Sequence, residues 1–206
     1  MRTEIIQVGI LSVNCGIVYD EESRKGVVID PGAQAEKILA AIQEAGAAPE
    51  AILLTHGHFD HIMAALKVRE RYEVPIFIGA RDEALLEDPV KNQAAVYMRR
   101  QFSMEADQQL HDGDLLPYLS GIRVLHVPGH TPGSVCFYFE KEGLLFAGDT
   151  LFAGSIGRTD TRELEEQLIR GIREKLLTLP DDTRVIPGHG NPTGIGREKR
   201  YNPFLV

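Results

Sequence analysis

A chain of 206 residues, 43% hydrophobic and 25% charged, has the composition of a soluble globular protein of one domain, and no apolar run is long enough to cross a bilayer. The net charge of −8 and a pI near 5.4 count against a nucleic-acid partner, because neutralising phosphates requires a basic face. The opening MRTEIIQVGILSVNCG lacks the basic start, long apolar centre and small-residue cleavage site of a signal peptide, so it reads as a first strand and the expected compartment is the cytoplasm.

TEIIQVGI and SVNCGIVYD are two strands, and the charged turn EESRKG leads to a third, VVIDPGA. AEKILAAIQEAGA places Ile38, Leu39, Ile42 and Ala45 at helical spacing, with Gly46 to close the helix. The continuous apolar run AILLTH predicts a buried strand. A helix from His61 (HIMAALKVRERY), a strand VPIFIG and the start of another helix, ARDEALLE, come next. Residues 88–105 have a weaker pattern and read as a helix or as an excursion over the surface. DQQLHDGDLLPYLSGIRVLHVPGH holds an Asp-Gly turn and alternating strands around Ser120 and Gly121, and GSVCFYFEKEGLLFAGDTLF is a hairpin whose second strand ends at Asp149. TRELEEQLIRGIREKLLTLP is the clearest helix, with Leu164, Leu168, Ile172 and Leu176 on one stripe and Pro180 beyond its end. TRVIPGHG adds a last strand. With no repeat, low-complexity segment or linker, residues 1–206 read as one domain. Hairpins require antiparallel pairing, so the sheets should be mixed, packed on one another and covered by helices. Cys15 and Cys136 each sit in a β-like apolar run and read as small buried hydrophobes, not as a disulfide or zinc knuckle.

The stretch LLTHGHFDHIM (53–63) crowds His56, His58, Asp60 and His61 onto the end of an apolar run. In an extended segment alternate side chains share a direction, so His56 and His58 can grip one ion. Asp60 and His61 lie where the chain turns into a helix and face elsewhere, which suggests two neighbouring sites. Neutral imidazole and carboxylate are ligands of Zn²⁺, Fe²⁺ and Mn²⁺. Thr55 or Asp60 could instead cap the helix, but three of the chain's seven histidines are too many to assign to capping. His130 in GHTPGS, Asp149 in FAGDTLF and His189 in IPGHGNP each follow an apolar strand, the usual position for functional groups at one rim of a sheet.

In this order THGHFDH, GHTPGS, GDTLF and PGHG resemble the metallo-β-lactamase superfamily, from about Asn14 to His189. The resemblance implies an α/β (α+β) fold, a four-layer αβ/βα sandwich of two mixed sheets flanked by helices, with the site at its rim. It implies two divalent metal ions, zinc before iron or manganese: one held by His56, His58 and His130, the other by Asp60, His61 and His189, with Asp149 bridging. Two such ions, two carboxylates and a hydroxide leave a centre of about +1, suited to an anionic substrate and to a developing oxyanion. The expected chemistry is metal-assisted hydrolysis, with a bridging hydroxide attacking a carbonyl and Asp60 orienting it.

SIGRTD (155–160) resembles the glyoxalase II-like branch and the related persulfide dioxygenases, and the ending GREKRYNPFLV resembles short glyoxalase II relatives, which hydrolyse S-lactoylglutathione. An anionic thioester is thus the expected small-molecule partner, with no nucleic acid or membrane. The alternative is a persulfide dioxygenase, holding a single iron through His56, His130 and Asp149. Longer glyoxalase II enzymes bind glutathione with a C-terminal helical domain, which is not expected in this chain. Lys91, Tyr97, Arg99, Arg100, Arg158 and Arg197 are the candidates to grip substrate carboxylates, and for any single one of them a solvated charged face is the commoner case. His126 is expected to be structural or to support a ligand, and His111 to be a solvated turn histidine. Asp30 either braces the metal-binding loop from behind or forms a turn before Pro31. Ser134 and Cys136 have no partner that would make either a nucleophile.

Overall fold

A computed structural model describes all 206 residues. Strands β1 (Arg2–Val8), β2 (Val13–Tyr19) and β3 (Lys25–Ile29) form an antiparallel meander. Helix α1 (Ala35–Ala45) returns the chain so that β4 (Ala48–Leu53) runs parallel to β3. Helices α2 (Phe59–Ile62) and α3 (Ala65–Tyr72) lead to β5 (Ile76–Gly79), and α4 (Glu83–Glu87) and α5 (Ala94–Tyr97) to β6 (Gln108–Leu110), both added in parallel. The first sheet therefore runs β1 to β6 in chain order.

The second sheet begins with β7 (Leu115–Leu116), β8 (Ile122–His126), β9 (Val135–Phe139) and β10 (Leu144–Gly148), all antiparallel neighbours. A short ribbon, β11 (Leu151–Phe152) with β12 (Ser155–Ile156), stands apart from it. Helix α6 (Arg162–Gly171) continues into a π turn, Ile172–Leu176, and returns the chain to β13 (Arg184–Pro187), parallel to β10. Strand β14 (Thr193–Gly194) and helix α7 (Ile195–Tyr201) complete the chain, giving the order β14-β13-β10-β9-β8-β7. No helix is long and apolar enough to cross a membrane.

Strand alternation builds the layers. In β9, Val135, Phe137 and Phe139 face between the sheets with Val18, Ile29 and Leu53, while Cys136 and Tyr138 turn outward to Leu168, Ile172 and Leu176. In β2, Cys15 and Ile17 turn outward to Ile38, Ile42 and Val68. Both sheets are thus covered on two faces, which is why AILLTH reads as one unbroken apolar run. Three apolar layers make the four-layer αβ/βα sandwich. Cys15 and Cys136 lie in different layers, and both are buried free thiols.

Local departures from the sequence reading have local causes. The helix expected through 61–72 is two helices, because the Ala64 amide donates to the Pro31 carbonyl of the neighbouring loop (2.9 Å). Residues 88–105 are an excursion with only one helical turn, α5. In the long amphipathic stripe Leu168, Ile172 and Leu176 are fully buried, and Leu164 at its start is half-exposed.

This topology gathers strand ends. Strands β8, β10 and β13 point the same way, since β8 and β10 both oppose β9 and β13 is parallel to β10. At that rim backbone hydrogen bonds tie the two sheets together: Val135 donates to the Thr55 carbonyl (2.9 Å) and Asn14 to the Gly188 carbonyl (2.8 Å). Gly148 has φ +49, and a Cβ there would lie 2.6 Å from the Thr55 Cβ, so glycine permits the contact between the end of β10 and the loop after β4. Phe137 is fully buried between the sheets. Phe137→Ala should cost about 3–5 kcal/mol of unfolding free energy, measured by chemical denaturation; a loss below about 1 kcal/mol would contradict this packing.

Candidate metal centre

Four loops at the shared rim deliver the seven candidate ligands: the segment after β4 with the first turn of α2 (His56, His58, Asp60, His61), and the ends following β8 (His130), β10 (Asp149) and β13 (His189). The structure brings all seven together. Ligand-type atoms of His56, His58 and His130 lie within 4.8 Å of one another, as do those of His56, His61 and Asp149 and those of Asp60, His61 and His189. Atoms bound at about 2.1 Å around a tetrahedral ion sit roughly 3.4 Å apart. The gaps here match that edge: His58 Nδ1 to His130 Nε2 is 3.0 Å, His189 Nε2 to Asp60 Oδ2 3.3 Å, and His61 Nε2 to Asp149 Oδ1 3.5 Å.

What aims the rings is the hydrogen bond on the far side of each. His61 Nδ1–H donates to Asp30 Oδ2 (2.8 Å), His130 Nδ1–H to the Arg158 carbonyl (2.8 Å) and His189 Nδ1–H to the Leu11 carbonyl (2.8 Å). Thr55 spends its hydroxyl proton on Asp30 (2.7 Å), so its oxygen accepts from His56 Nδ1–H (3.1 Å). These bonds hold the proton of the neutral ring on the outward nitrogen, so the inward one is the lone pair available to a metal. His58 is reversed. Its Nδ1 faces the cluster and its Nε2 meets the side-chain amide of Gln93 (3.0 Å).

Three of the inward atoms, His56 Nε2, His61 Nε2 and Asp149 Oδ1, are buried with no hydrogen-bond partner in the protein itself, a costly condition for polar atoms. Lone pairs and carboxylate oxygens converging at this spacing call for a cation, and the donor set fits a divalent metal. Backbone room is kept by Gly188, where a Cβ would strike the Asp149 carboxylate and lie 2.8 Å from the His61 ring.

Two buried carboxylates hold the loops. Asp30, itself at φ +47, accepts from the Thr55 amide (2.7 Å), the Thr55 hydroxyl and His61. The brace-from-behind role is the one it fills. Asp82, fully buried, accepts from the amides of Gly57 (3.0 Å) and Gly133 (2.6 Å) and from the Thr131 hydroxyl (2.6 Å), joining the His56–His61 loop to the His130 loop. Burial pushes the Asp82 carboxyl up, against those three hydrogen bonds. Sequence reading missed Asp82 because ARDEALLE reads as an ordinary helix start; its position directly after strand β5 was the available signal. Asn14 fastens the last loop, donating to the carbonyls of Pro187 (3.0 Å) and Gly190 (2.9 Å).

Electrostatics divide the cluster. Burial and the neighbouring histidines depress His56 and push His58 down to about 3, so both are neutral at pH 7. Burial also opposes charge on His61 and His189, but Asp30 and Asp149 raise His61 to about 9, and hydrogen bonds to Asp149 and Asp60 raise His189 to about 10. Burial would raise Asp60 and Asp149, yet the surrounding histidines hold both below the usual carboxylate range.

A cleft of about 530 Å³ opens over the cluster. Of the six residues expected to contact substrate, Tyr97 and Arg158 line it, together with Gln93, Leu11 and Phe152. Tyr97 stacks on Phe59 with ring centres 5.7 Å apart. Lys91, Arg99, Arg100 and Arg197 are exposed and are not among the lining residues. Lys91 lies 3.8 Å from Asp88, and Arg197 pairs with Glu198 at 2.9 Å, so those cations are drawn to local carboxylates. His126 bonds the Pro132 carbonyl (2.9 Å), a structural contact within the loop that ends in Ser134, and His111 is exposed. Ser134 bonds Thr131 (2.6 Å) and is buried, with no nucleophile's surroundings. The tail has an architectural role that its sequence did not disclose. Buried Glu198 accepts from the Gly154 amide (2.8 Å), and Asn202 donates to the Ser155 carbonyl (2.9 Å), so α7 steadies the β11–β12 ribbon that forms one cleft wall.

Asp30→Asn keeps the shape but removes the charge behind His61. It should weaken metal retention about 10–100-fold, read by competition with a chromophoric chelator; unchanged affinity would remove Asp30 from this role.

A family model described as the metallo-beta-lactamase superfamily matches residues 8–189. The chain is 39% identical to "Hydroxyacylglutathione hydrolase GloC" of Haemophilus influenzae, across 100% of this chain and 98% of that protein. Among solved structures, the BLEG-1 B3 metallo-beta-lactamase superposes with a TM-score of 0.92 at 38% identity, covering 100% of both chains. TTHA1623 in a di-iron-bound form gives 0.85 at 38% identity, covering 98% of this chain and 100% of that one. With the four motifs, their converging ligand atoms and the αβ/βα layers in place, the chain belongs to the metallo-β-lactamase superfamily.

Proposed function

We propose that the chain is a binuclear metal hydrolase of glyoxalase II type that cleaves S-lactoylglutathione or a related acyl thioester. The observation that carries this reading is Asp149. Its Oδ1 faces His61 Nε2 (3.5 Å), while its Oδ2 faces both His130 Nε2 (3.5 Å) and His189 Nε2 (3.5 Å). One carboxylate thus spans two ligand groups, His56–His58–His130 and Asp60–His61–His189. The likeness to GloC along the full chain points to the same substrate class. Imidazole and carboxylate suit zinc and iron alike. Zinc is the ion we propose, with the di-iron form of TTHA1623 keeping iron as the competitor.

Two divalent ions held there supply Lewis acidity toward a carbonyl oxygen and a water acidified to a pKa of about 7. The protein's own groups do the rest. Asp60, its side chain 12% exposed and 3.3 Å from His189, is placed to orient the attacking water. Arg158 and Tyr97 on the cleft wall bind the anionic arm of the substrate. Ser155, the aliphatic hydroxyl lining the cleft, donates to the Ile156 carbonyl (3.4 Å) and has no base beside it, so it is not set up as an acyl acceptor.

Elemental analysis and S-lactoylglutathione hydrolysis on the same purified sample test the reading. About two metals per chain with turnover is the expected result. One iron per chain without hydrolysis would transfer the protein to single-iron oxygen chemistry such as persulfide oxidation. Turnover of a cephalosporin in preference to the thioester would favour the activity named for BLEG-1. Asp149→Ala should lower kcat/KM at least about 100-fold and deplete metal; full activity in that variant would refute the spanning role.

Metal loading should depend on pH unequally. His61 and His189, raised to about 9 and about 10, must give up protons to ligate, whereas His56 and His58 are already neutral. Near pH 6.5 the His56–His58–His130 group should fill first, and affinity at the other group should climb as pH rises toward 9. Calorimetric titration in buffers of different protonation heat checks this; two binding steps with equal proton release would contradict it.

A further inference from the structure

A second cavity, about 350 Å³, adjoins the metal cleft, and the catalytic reading above gives it no role. Its apolar walls are Ile10, Ala33, Phe59, Met63 and Met98, and its one ionisable wall is Asp60. Phe59 and Asp60 line both cavities, so the two share a wall at the edge of the ligand cluster. The turn between β1 and β2 overhangs them, presenting Ile10 to the second cavity and Leu11 to the metal cleft. These large apolar side chains are 75% and 46% exposed, in a turn where polar residues are the rule. The turn is built to hold that position: Gly9 and Ser12 have φ +73 and +54, and the Gly9 amide donates to Gln34 Oε1 (3.0 Å).

The polarity of the surroundings is directional. The cation and phenol of the metal cleft, Arg158 and Tyr97, line the metal cleft and not the second cavity, where no cation is found. Two methionines add flexible walls that adapt to chains of different length. We propose that the second cavity is an acyl subsite, so that the preferred substrate carries an unbranched aliphatic acyl chain of several carbons on an anionic thiol. This rests on the hydrolase reading and deepens it: the reacting carbonyl sits at the metal centre, the anionic thiol arm runs toward Arg158, and the alkyl chain runs past Asp60 beneath Ile10.

The experiment uses the full-length, metal-loaded protein with glutathione thioesters of acetate, butanoate, hexanoate and octanoate. In parallel, the free straight-chain carboxylates are titrated calorimetrically. The subsite predicts that both kcat/KM and carboxylate affinity climb with length, up to about fourfold per buried methylene. Ala33→Leu and Met98→Trp, each shown to be folded by thermal unfolding, narrow the cavity and should lower the octanoyl-to-acetyl ratio of kcat/KM about tenfold. Profiles flat with chain length, or a ratio unmoved in both variants, would overturn the subsite while leaving thioester hydrolysis standing. Conversely, if no thioester is hydrolysed but carboxylate affinity still climbs with length and falls in the variants, the subsite stands and the hydrolase reading fails.

Discussion

Five imidazoles can point their lone pairs at one another only if something else holds their protons. In this protein four of the rings are fastened from outside by an acceptor, His61 by Asp30, His56 by Thr55, His130 by the Arg158 carbonyl and His189 by the Leu11 carbonyl, while the fifth, His58, meets the amide nitrogen of Gln93. Those partners come from five different places in the chain. Were the outward nitrogens free, the rings would rotate and share protons among themselves, and the buried orphan atoms at the centre would not survive as such. The cluster is therefore a property of its supports as much as of its ligands.

The supports are themselves expensive to build. Asp30 and Asp82 are carboxylates sealed from water, a placement tolerated only when hydrogen bonds replace the lost hydration. Each accepts three hydrogen bonds, and each joins segments distant in sequence. Asp30 welds the end of β3 to the loop after β4, and Asp82 welds that loop to the one after β8. Glu198 repeats the device for the ribbon that walls the cleft. Buried acids thus act here as nodes between loops that carry no regular structure, while the sandwich beneath supplies the rigid platform.

The arrangement also explains why the cleft has two characters. Its floor is charged and hydrogen-bonded, because that is where the strand ends of the two sheets meet. Its margins are apolar, since the β1–β2 turn and the excursion containing α5 pass over the rim without being part of either sheet. Elements free of the sheet's hydrogen-bond ladder are free to vary in side chain, which is where a common centre acquires its particular substrates.

Much of this was written locally and so was legible in the sequence. Apolar alternation marked most of the longer strands, the 3.6-residue period marked α1 and α6, and the motifs THGHFDH, GHTPGS, GDTLF and PGHG marked all seven ligand candidates, because each depends on neighbours within a few residues. Short pieces such as β11, β12, β14 and α7 left no such pattern; packing against the rest of the molecule makes them, not their own propensity. The same holds for function. Residue type and spacing determined that this chain assembles a histidine–aspartate cluster at a sheet rim. Only the tertiary structure decided that Arg158 and Tyr97 reach the cleft while Lys91, Arg99, Arg100 and Arg197 do not, and that Asp82 and Gln93 support it. A charged side chain on a loop carries no record of where that loop will be folded, and a lone acid reveals its role only when the amides it serves, such as those of Gly57 and Gly133, arrive from other strands.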